Sequence, residues 1–118
     1  PWPASHGWAF LEFSRRHGDF AIVSCAALLL LDEAGLVSRV SITLGGVGAF
    51  PLRMTEAENA LLGTPASPSD IERAAELCGQ VDASSDCYVQ GWYRQRLAKE
   101  YTARALRLAL SRTGQRHE

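Results

Sequence analysis

The chain has 118 residues, of which 47% are hydrophobic and 21% charged, and its formal net charge is −1. This length suits one domain with its own core and is too short for two ordinary ones, and the composition is that of a globular chain. The near-neutral charge gives no electrostatic case for a nucleic acid partner. The longest apolar run, Phe20 to Leu31, is shorter than the about 20 residues that a membrane-spanning helix needs.

The start of the chain and its cysteines bear on where the protein works. Because the chain begins at Pro1 rather than Met, we expect it to be processed or to be a piece of a longer protein. The opening PWPASHGW lacks the basic and apolar regions of a secretory signal. Cys25, Cys78 and Cys87 form no Cys-x-x-Cys motif, and we interpret them as buried free thiols rather than disulfide or metal ligands. A reducing, cytoplasmic location is therefore predicted.

The first half of the chain predicts antiparallel strands after an irregular lead-in, residues 1–8. Two apolar segments are joined by the short Gly-containing turn DEAG, which favours a hairpin. In the second of them, apolar and polar residues alternate, as in a strand with one wet face. The predicted strands are Phe10 to Phe13, Ala21 to Leu31, a segment through Val40, Ile42 and Leu44, and Phe50 to Met54.

The second half predicts three helices. We interpret Thr55 with Glu58, and Ser69 with Glu72, as capping boxes that begin the first two. The first helix ends at Gly63. Ile71, Ala74, Ala75 and Cys78 mark the buried face of the second helix. In the third helix, arginines and a lysine lie opposite an apolar stripe formed by Tyr93, Leu97, Tyr101, Ala105 and Leu108.

Strands followed by helices predict an α+β fold. We expect an antiparallel sheet of three or four strands packed against a three-helix bundle, in a single domain over residues 1–118. The polar tail, residues 111–118, is expected to fray.

Three patterns are candidates for a self-contained active site. Gly45 to Gly48, GGVG, follows a strand, but neither a helix nor a Lys-Ser/Thr pair comes after it, so a phosphate loop is disfavoured. His17 and Asp19 with Ser24 or Cys25 have the composition of a hydrolytic set, but their placement in the predicted elements disfavours one. The three histidines show no metal-ligand spacing. We therefore predict neither catalytic residues nor a metal site.

The segment SRRHGDF, residues 14–20, carries Arg15, Arg16 and Asp19. Arginine forks suit phosphate, carboxylate or a ring edge, and Asp19 could hold one of them in place. Spacing alone favours the simpler interpretation of a solvated turn with an internal ion pair. A loop that faces a ligand is the alternative.

The order of motifs along nearly the whole chain, roughly residues 7–110, resembles the C-terminal domain of the FAD-binding medium subunit of molybdenum hydroxylases, as in carbon monoxide dehydrogenase. Each motif is weak alone, and their order and spacing carry the resemblance. The matching residues are Arg16, Gly18, Asp19, Phe20 and Ala21; Gly45 and Gly46; Pro51, Leu52 and Arg53; Ala57, Glu58, Leu61 and Gly63; Ser85 and Asp86; Tyr93, Arg94 and Leu97; and Arg104, Ala105 and Leu106.

The resemblance implies the same α+β fold and a role in a multisubunit oxidoreductase. In such enzymes a molybdenum subunit oxidises the substrate, and electrons pass through the clusters of an iron–sulfur subunit to FAD in the medium subunit. The FAD is held mainly by two N-terminal domains of the medium subunit, which this sequence lacks. The C-terminal domain covers the isoalloxazine side and helps to pack the subunits. The isolated chain is therefore expected to be inactive and to carry no cofactor.

The resemblance also implies a cofactor-facing site. Arg16 and Asp19 are the predicted flavin-side contacts, with Phe10 and Phe20 as apolar neighbours. Two departures stand out: Phe10 occupies a position where Tyr is common, and QGWYR replaces the usual S-A-E-Y-R. The resemblance implies structural roles for Asp86, Tyr93, Arg94 and Arg104.

Two other functions stay open. The chain could be a free-standing interaction module, also as a homodimer, in which Trp2, Trp8 or Trp92 anchors a partner. An independent small enzyme is the least favoured. The expected partners are thus the FAD-binding domains of the same subunit and the iron–sulfur and molybdenum subunits, with neither nucleic acid nor membrane.

Overall fold

A computed structural model describes residues 5–13, 23–48, 50–81 and 91–113. Its strands precede its helices, so the predicted α+β class is confirmed. The elements are β1 (Gly7–Phe13), β2 (Val23–Leu31), β3 (Val37–Gly45), β4 (Leu52–Arg53), α1 (Thr55–Leu61), α2 (Pro68–Cys78) and α3 (Gly91–Ser111).

The strands form a four-stranded antiparallel sheet in the order β1-β2-β3-β4. The predicted DEAG hairpin is confirmed between β2 and β3. The Asp32 carboxylate accepts the backbone N–H groups of Ala34 and Leu36 at 2.9 and 3.0 Å. Gly35 has a φ of +82°, a left-handed conformation that glycine adopts at little cost. This turn fixes the register in which Ala27 faces Ile42.

The register places every buried strand residue on one side of the sheet. Ala27 of β2 lies between Ala9 of β1 and Ile42 of β3, and all three are buried. The cross-strand sets two residues away along the strands also place their buried side chains on this side, because side chains alternate along each strand. The core thus forms between this side of the sheet and the helices, with α3 against β1 and β2, α1 against β3, and α2 beside both helices.

Glycine is required where α3 crosses the edge of the sheet. A Cβ atom placed on Gly7 would overlap the backbone carbonyl of Ala109 and crowd the amide of Thr113. The absent side chain lets the last turns of α3 lie directly on β1. This strand is longer than predicted, since it begins at Gly7 inside the expected lead-in.

The starts of α1 and α2 differ from the predicted capping boxes. At α2 the box is formed by Ser67 and Asp70 rather than by Ser69 and Glu72, because Pro68 takes the first helical position, where its missing N–H costs nothing. At α1 the N-cap is Met54 and makes no side-chain hydrogen bond. The predicted partner of Thr55 there, Glu58, is instead buried against β3.

The buried side of α3 is rotated from the predicted stripe. Arg94, predicted on the polar side, is only 9% exposed, whereas Tyr93 and Tyr101 are half-buried at the flank. Both tyrosine rings pack edge-on against Phe13, with centroids 6.4 and 5.9 Å away. The rotation arises because α3 contacts the sheet on one side and α2 on another. The buried α3 residues are Arg94, Leu97, Ala98, Thr102, Ala103, Ala105, Leu106 and Ala109.

None of the helices in the described ranges combines the length and the apolar composition that crossing a membrane requires.

Candidate functional site

The side of the sheet that faces away from the helices is the candidate functional surface, and we call it the open face. It combines exposed aromatic rings on the edge strand β1 with small, polar and aliphatic side chains on the inner strands. Its residues are Trp8, Phe10 and Glu12 of β1; Ser24, Ala26, Leu28 and Leu30 of β2; and Arg39, Ser41 and Thr43 of β3.

Phe10 is the middle of the three open-face residues of the edge strand β1. Its side chain is 54% exposed, which is high for a phenylalanine in a strand. Across the sheet its register partner is Ala26, which in turn faces Thr43 of β3. These short neighbours do not rise to the height of the ring, so one row of the sheet offers an aromatic ring beside a flat surface. Such a surface suits a planar, largely apolar group.

Trp8 lies two residues before Phe10 and so points to the same side. It is 46% exposed and sits in the next row, opposite Leu28. The guanidinium carbon of Arg112 lies 5.1 Å from the centroid of the Trp8 ring. The same guanidinium donates a hydrogen bond of 2.8 Å to the Trp8 carbonyl. Arg112 thus fixes both the ring and the backbone of Trp8.

A buried carboxylate supports the opposite edge of the sheet. Glu58 of α1 accepts the backbone N–H of Ile42 at 2.9 Å and the Nε–H of Arg53 at 2.8 Å. The Glu58 side chain is 8% exposed and that of Arg53 59%. The hydrogen bond and the charge of Glu58 raise the pKa of Arg53 above its usual range. This ion pair fixes β4 and α1 to β3.

Of the four residues predicted to lie beside the cofactor, the structure describes only Phe10. Phe10 lies on the open face, whereas Arg16, Asp19 and Phe20 lie outside the described residues. Phe13 and Val23, which flank that segment, are register partners at the end of the β1–β2 pair. The roles of Arg16, Asp19 and Phe20 therefore stay predictions.

The residues expected to be structural are placed as follows. Tyr93 packs on Phe13, and Arg104 binds Glu100 at 2.8 Å and lies 5.2 Å from the ring centroid of Tyr101. Arg94 is buried, and Asp86 is outside the described ranges.

Sequence reasoning named Trp8 only as a partner anchor and did not single out Arg112. The spacing of Trp8 and Phe10 in GWAFLEF could have placed both rings on one side of a strand, since they are two residues apart. The contact with Arg112 spans 104 residues and has no local sequence signal.

Cys25 and Cys78 are buried free thiols, as predicted, while Cys87 lies outside the described ranges. Burial raises the pKa of Cys25 to about 12 and that of Cys78 to about 11, partly offset in each case by the hydroxyl of Thr102. At neutral pH both are protonated and therefore poor nucleophiles.

Another exposed aromatic side chain lies on the helical side of the sheet. Trp92 in the first turn of α3 is 58% exposed. It borders a shallow groove of about 400 Å³ between α2 and α3, with Gly79, Gln95, Arg96 and Lys99 among its lining. Lys99 forms a loose ion pair with Glu76 of α2 at 3.7 Å.

Known proteins resemble this chain over almost its full length. Residues 8–109 match the model of the CO dehydrogenase flavoprotein C-terminal domain. The chain is 40% identical to the 6-hydroxypseudooxynicotine dehydrogenase complex subunit alpha of Paenarthrobacter nicotinovorans, over 93% of its own length and 38% of that protein. It is 32% identical to the carbon monoxide dehydrogenase medium chain of Afipia carboxidovorans, again over 93% of its length and 38% of that protein.

Solved structures of related enzymes also match this chain. Carbon monoxide dehydrogenase from Hydrogenophaga pseudoflava matches with a TM-score of 0.87 and 30% identity, over 95% of this chain and 39% of the matched one. Quinoline 2-oxidoreductase from Pseudomonas putida 86 matches with a TM-score of 0.84 and 33% identity, over 94% and 39%. The chain thus spans well under half the length of the proteins it resembles.

Proposed function

Since the chain belongs to the family of CO dehydrogenase flavoprotein C-terminal domains, we propose that it works as the C-terminal part of the FAD-containing medium subunit of a molybdenum hydroxylase-type oxidoreductase. Its role there is to cover the flavin and to pack the subunits while electrons pass from iron–sulfur clusters to FAD. The relatives' names support this proposal, since they include subunits and medium chains of dehydrogenases.

The observation that carries the proposal is the exposed ring of Phe10 on the open face. A phenyl ring that is 54% exposed loses favourable burial unless something covers it. The row formed by Phe10, Ala26 and Thr43 fits the flat isoalloxazine system, because a ring stands beside a surface of short side chains. When bound, FAD supplies one- and two-electron transfer.

The chain's own residues would then bind and exclude water rather than react. Phe10 stacks on or beside the flavin and keeps solvent away from that side. Arg16 and Asp19 are proposed to contact the flavin from the segment that follows β1, with Phe20 as a further apolar neighbour. Because cofactor pockets are concave and one sheet face supplies a single wall, most of the binding surface must come from the other domains of the subunit.

The proposed partners are the FAD-binding domains of the same subunit and the iron–sulfur and molybdenum subunits of the complex. A cytoplasmic location is proposed with them. The free thiols of Cys25 and Cys78 support it, since thiols persist in a reducing compartment.

A free-standing interaction module is the second candidate, and the 58% exposure of Trp92 beside the α2–α3 groove favours it. Exposed tryptophans are common anchors of protein interfaces. The reading frame separates the two candidates: an upstream flavin-binding segment in the same frame supports the medium subunit, and its absence supports the module.

The proposal is tested in the full medium subunit with Phe10→Ala. We expect faster loss of FAD on dialysis and a shifted flavin absorption band, because water reaches the uncovered ring. Phe50→Ala is the matched control, since Phe50 is 78% exposed but lies outside the open face. Equal FAD retention and identical spectra for the wild type and both variants would contradict the proposal.

A further inference from the structure

The open face carries a second aromatic ring that the proposed function does not use. Trp8 and Phe10 protrude from the same side of β1, about 7 Å apart along the strand. Both are about half exposed, whereas Leu28 and Ala26 opposite them are partly buried. The two rings thus stand in neighbouring rows at the β1 edge of the open face.

Arg112 holds one of these rings in place. Its guanidinium lies over the Trp8 ring at 5.1 Å and donates to the Trp8 carbonyl at 2.8 Å. A cation over an indole face is attracted by the ring electrons, and the hydrogen bond adds a second point of attachment. An exposed tryptophan would otherwise sample several rotamers. The pair is therefore preorganised, which lowers the ordering cost of binding a ligand.

We propose that Trp8 is a second flavin-contacting residue of this domain and that Arg112 is its positioning residue. This inference rests on the proposed function and deepens it. The isoalloxazine system has three fused rings and is longer than one phenyl ring, so Phe10 alone cannot cover it. The adjoining indole extends the cover along β1, and Arg112 places a fixed positive charge at its rim.

Trp8 and Phe10 differ in their effect on flavin fluorescence, which can be measured. An indole in contact with a photoexcited flavin gives up one electron and takes it back, which quenches flavin emission. A phenyl ring does not. Among the described residues of the open face only Trp8 carries an indole, so we expect quenching by this face to come from Trp8.

The test is the emission yield and lifetime of FAD bound to the full medium subunit. Trp8→Phe keeps an aromatic ring and is expected to raise the yield several-fold. Arg112→Gln is expected to raise it by a smaller factor and to broaden the lifetimes, because the indole is no longer held. Arg112→Lys, which retains the charge, is expected to recover part of the quenching. The matched controls are Trp92→Phe and Arg107→Gln, both at exposed positions of α3.

The outcomes separate this inference from the proposed function. If Phe10→Ala changes FAD retention while Trp8→Phe leaves the emission unchanged, the second contact is refuted and the flavin cover stands. If Trp8→Phe raises the emission but Arg112→Gln does not, the positioning role of Arg112 is refuted. If Phe10→Ala and Trp8→Phe both match the wild type, the proposed function fails as well. Trp8→Leu repeats the test should Trp8→Phe fold poorly.

Discussion

At the edge of the sheet, the carboxylate of Glu58 accepts a hydrogen bond from the backbone of Ile42, as a neighbouring strand would. It accepts the N–H of Ile42 at 2.9 Å, while the carbonyl of Ile42 accepts the N–H of Met54 at 2.8 Å. Because β4 is only two residues long, a side chain from α1 completes the pairing of β3. A buried backbone donor without a partner would be costly there.

The first prediction concerns this carboxylate. Glu58→Ala leaves the Ile42 amide unsatisfied and removes the partner of Arg53, so we expect the free energy of unfolding to fall by about 2–4 kcal/mol. Glu58→Gln keeps an acceptor but not the charge and should cost about half as much. Urea unfolding of the chain measures both. Glu56→Ala, in the exposed first turn of the same helix, is the control. Equal losses for Glu56→Ala and Glu58→Ala would argue against the bridge.

The second prediction concerns the crossing of α3 over β1. Gly7→Ala pushes a methyl group into the backbone of Ala109, and we expect a loss of about 1–3 kcal/mol or more. Gly48→Ala is the matched control, because a Cβ there meets no atom within 4 Å. Thermal unfolding of the two variants should differ clearly. A Gly7→Ala variant as stable as Gly48→Ala would mean that α3 does not lie this close to the strand.

The third prediction concerns the cap of α2. Ser67→Ala removes the side-chain acceptor for the Asp70 amide and should destabilise the chain by about 1 kcal/mol. Ser69→Ala should cost less, since Ser69 is not the capping residue. Denaturation midpoints compare the two. A larger loss for Ser69→Ala than for Ser67→Ala would favour the capping box predicted from the sequence, Ser69 with Glu72.

The fourth prediction concerns alkaline pH. The thiol pKa values are raised on folding from 9.0 to about 12 for Cys25 and about 11 for Cys78, so the folded state holds these protons more tightly than the unfolded chain. Stability from these groups is complete below pH 9.0 and is lost as the pH rises towards the folded values. Each thiol lowers the free energy of unfolding by up to about 1.4 kcal/mol per pH unit in that window.

The Cys25→Ala/Cys78→Ala variant isolates this effect, because tyrosines and lysines also titrate at alkaline pH. Its stability should fall less steeply than that of the wild type between pH 9 and 11, the range in which both thiols are affected. Parallel slopes would refute the assignment. Thiol labelling gives a second measurement, since folded Cys25 and Cys78 should react far more slowly than in denaturant.

The fifth prediction concerns the isolated chain, which we expect to be colourless after purification. One open sheet face does not enclose a cofactor, and in the proposed medium subunit the other walls come from further domains. Absorbance of the dialysed protein in the flavin region is the measurement. A yellow sample that keeps its absorbance would show that this chain binds flavin by itself.

The sequence was a good guide to the fold where periodicity decides it. The alternation around Val40 and Ile42 and the apolar run of β2 have one solution, which is a sheet with a single buried side. It was a poor guide to the caps, because SPSDIE contains two overlapping capping boxes that are offset by two residues, and only the position of Pro68 distinguishes them. Arg94 was misplaced because its apolar stem can be buried as readily as its charge can be exposed.

The sequence likewise predicted only part of the candidate site. Phe10 was identified through the resemblance, and its place on the open face follows from strand alternation. The joining of Trp8 to Arg112 depends on tertiary packing, which local pattern does not encode. For Arg16, Asp19 and Phe20 the prediction stands without a structural test.

The contact between Trp8 and Arg112 also bears on the order in which parts of the chain fold during synthesis. It joins positions 104 residues apart, so the first strand stays unclamped until almost all of this chain has been synthesised. β2 and β3 can pair early through their short turn, and β1 can then pair with β2, but Trp8 is not held by Arg112 until the end of α3 is made. The Trp8 end of the open face is therefore among the last parts of this chain to become ordered.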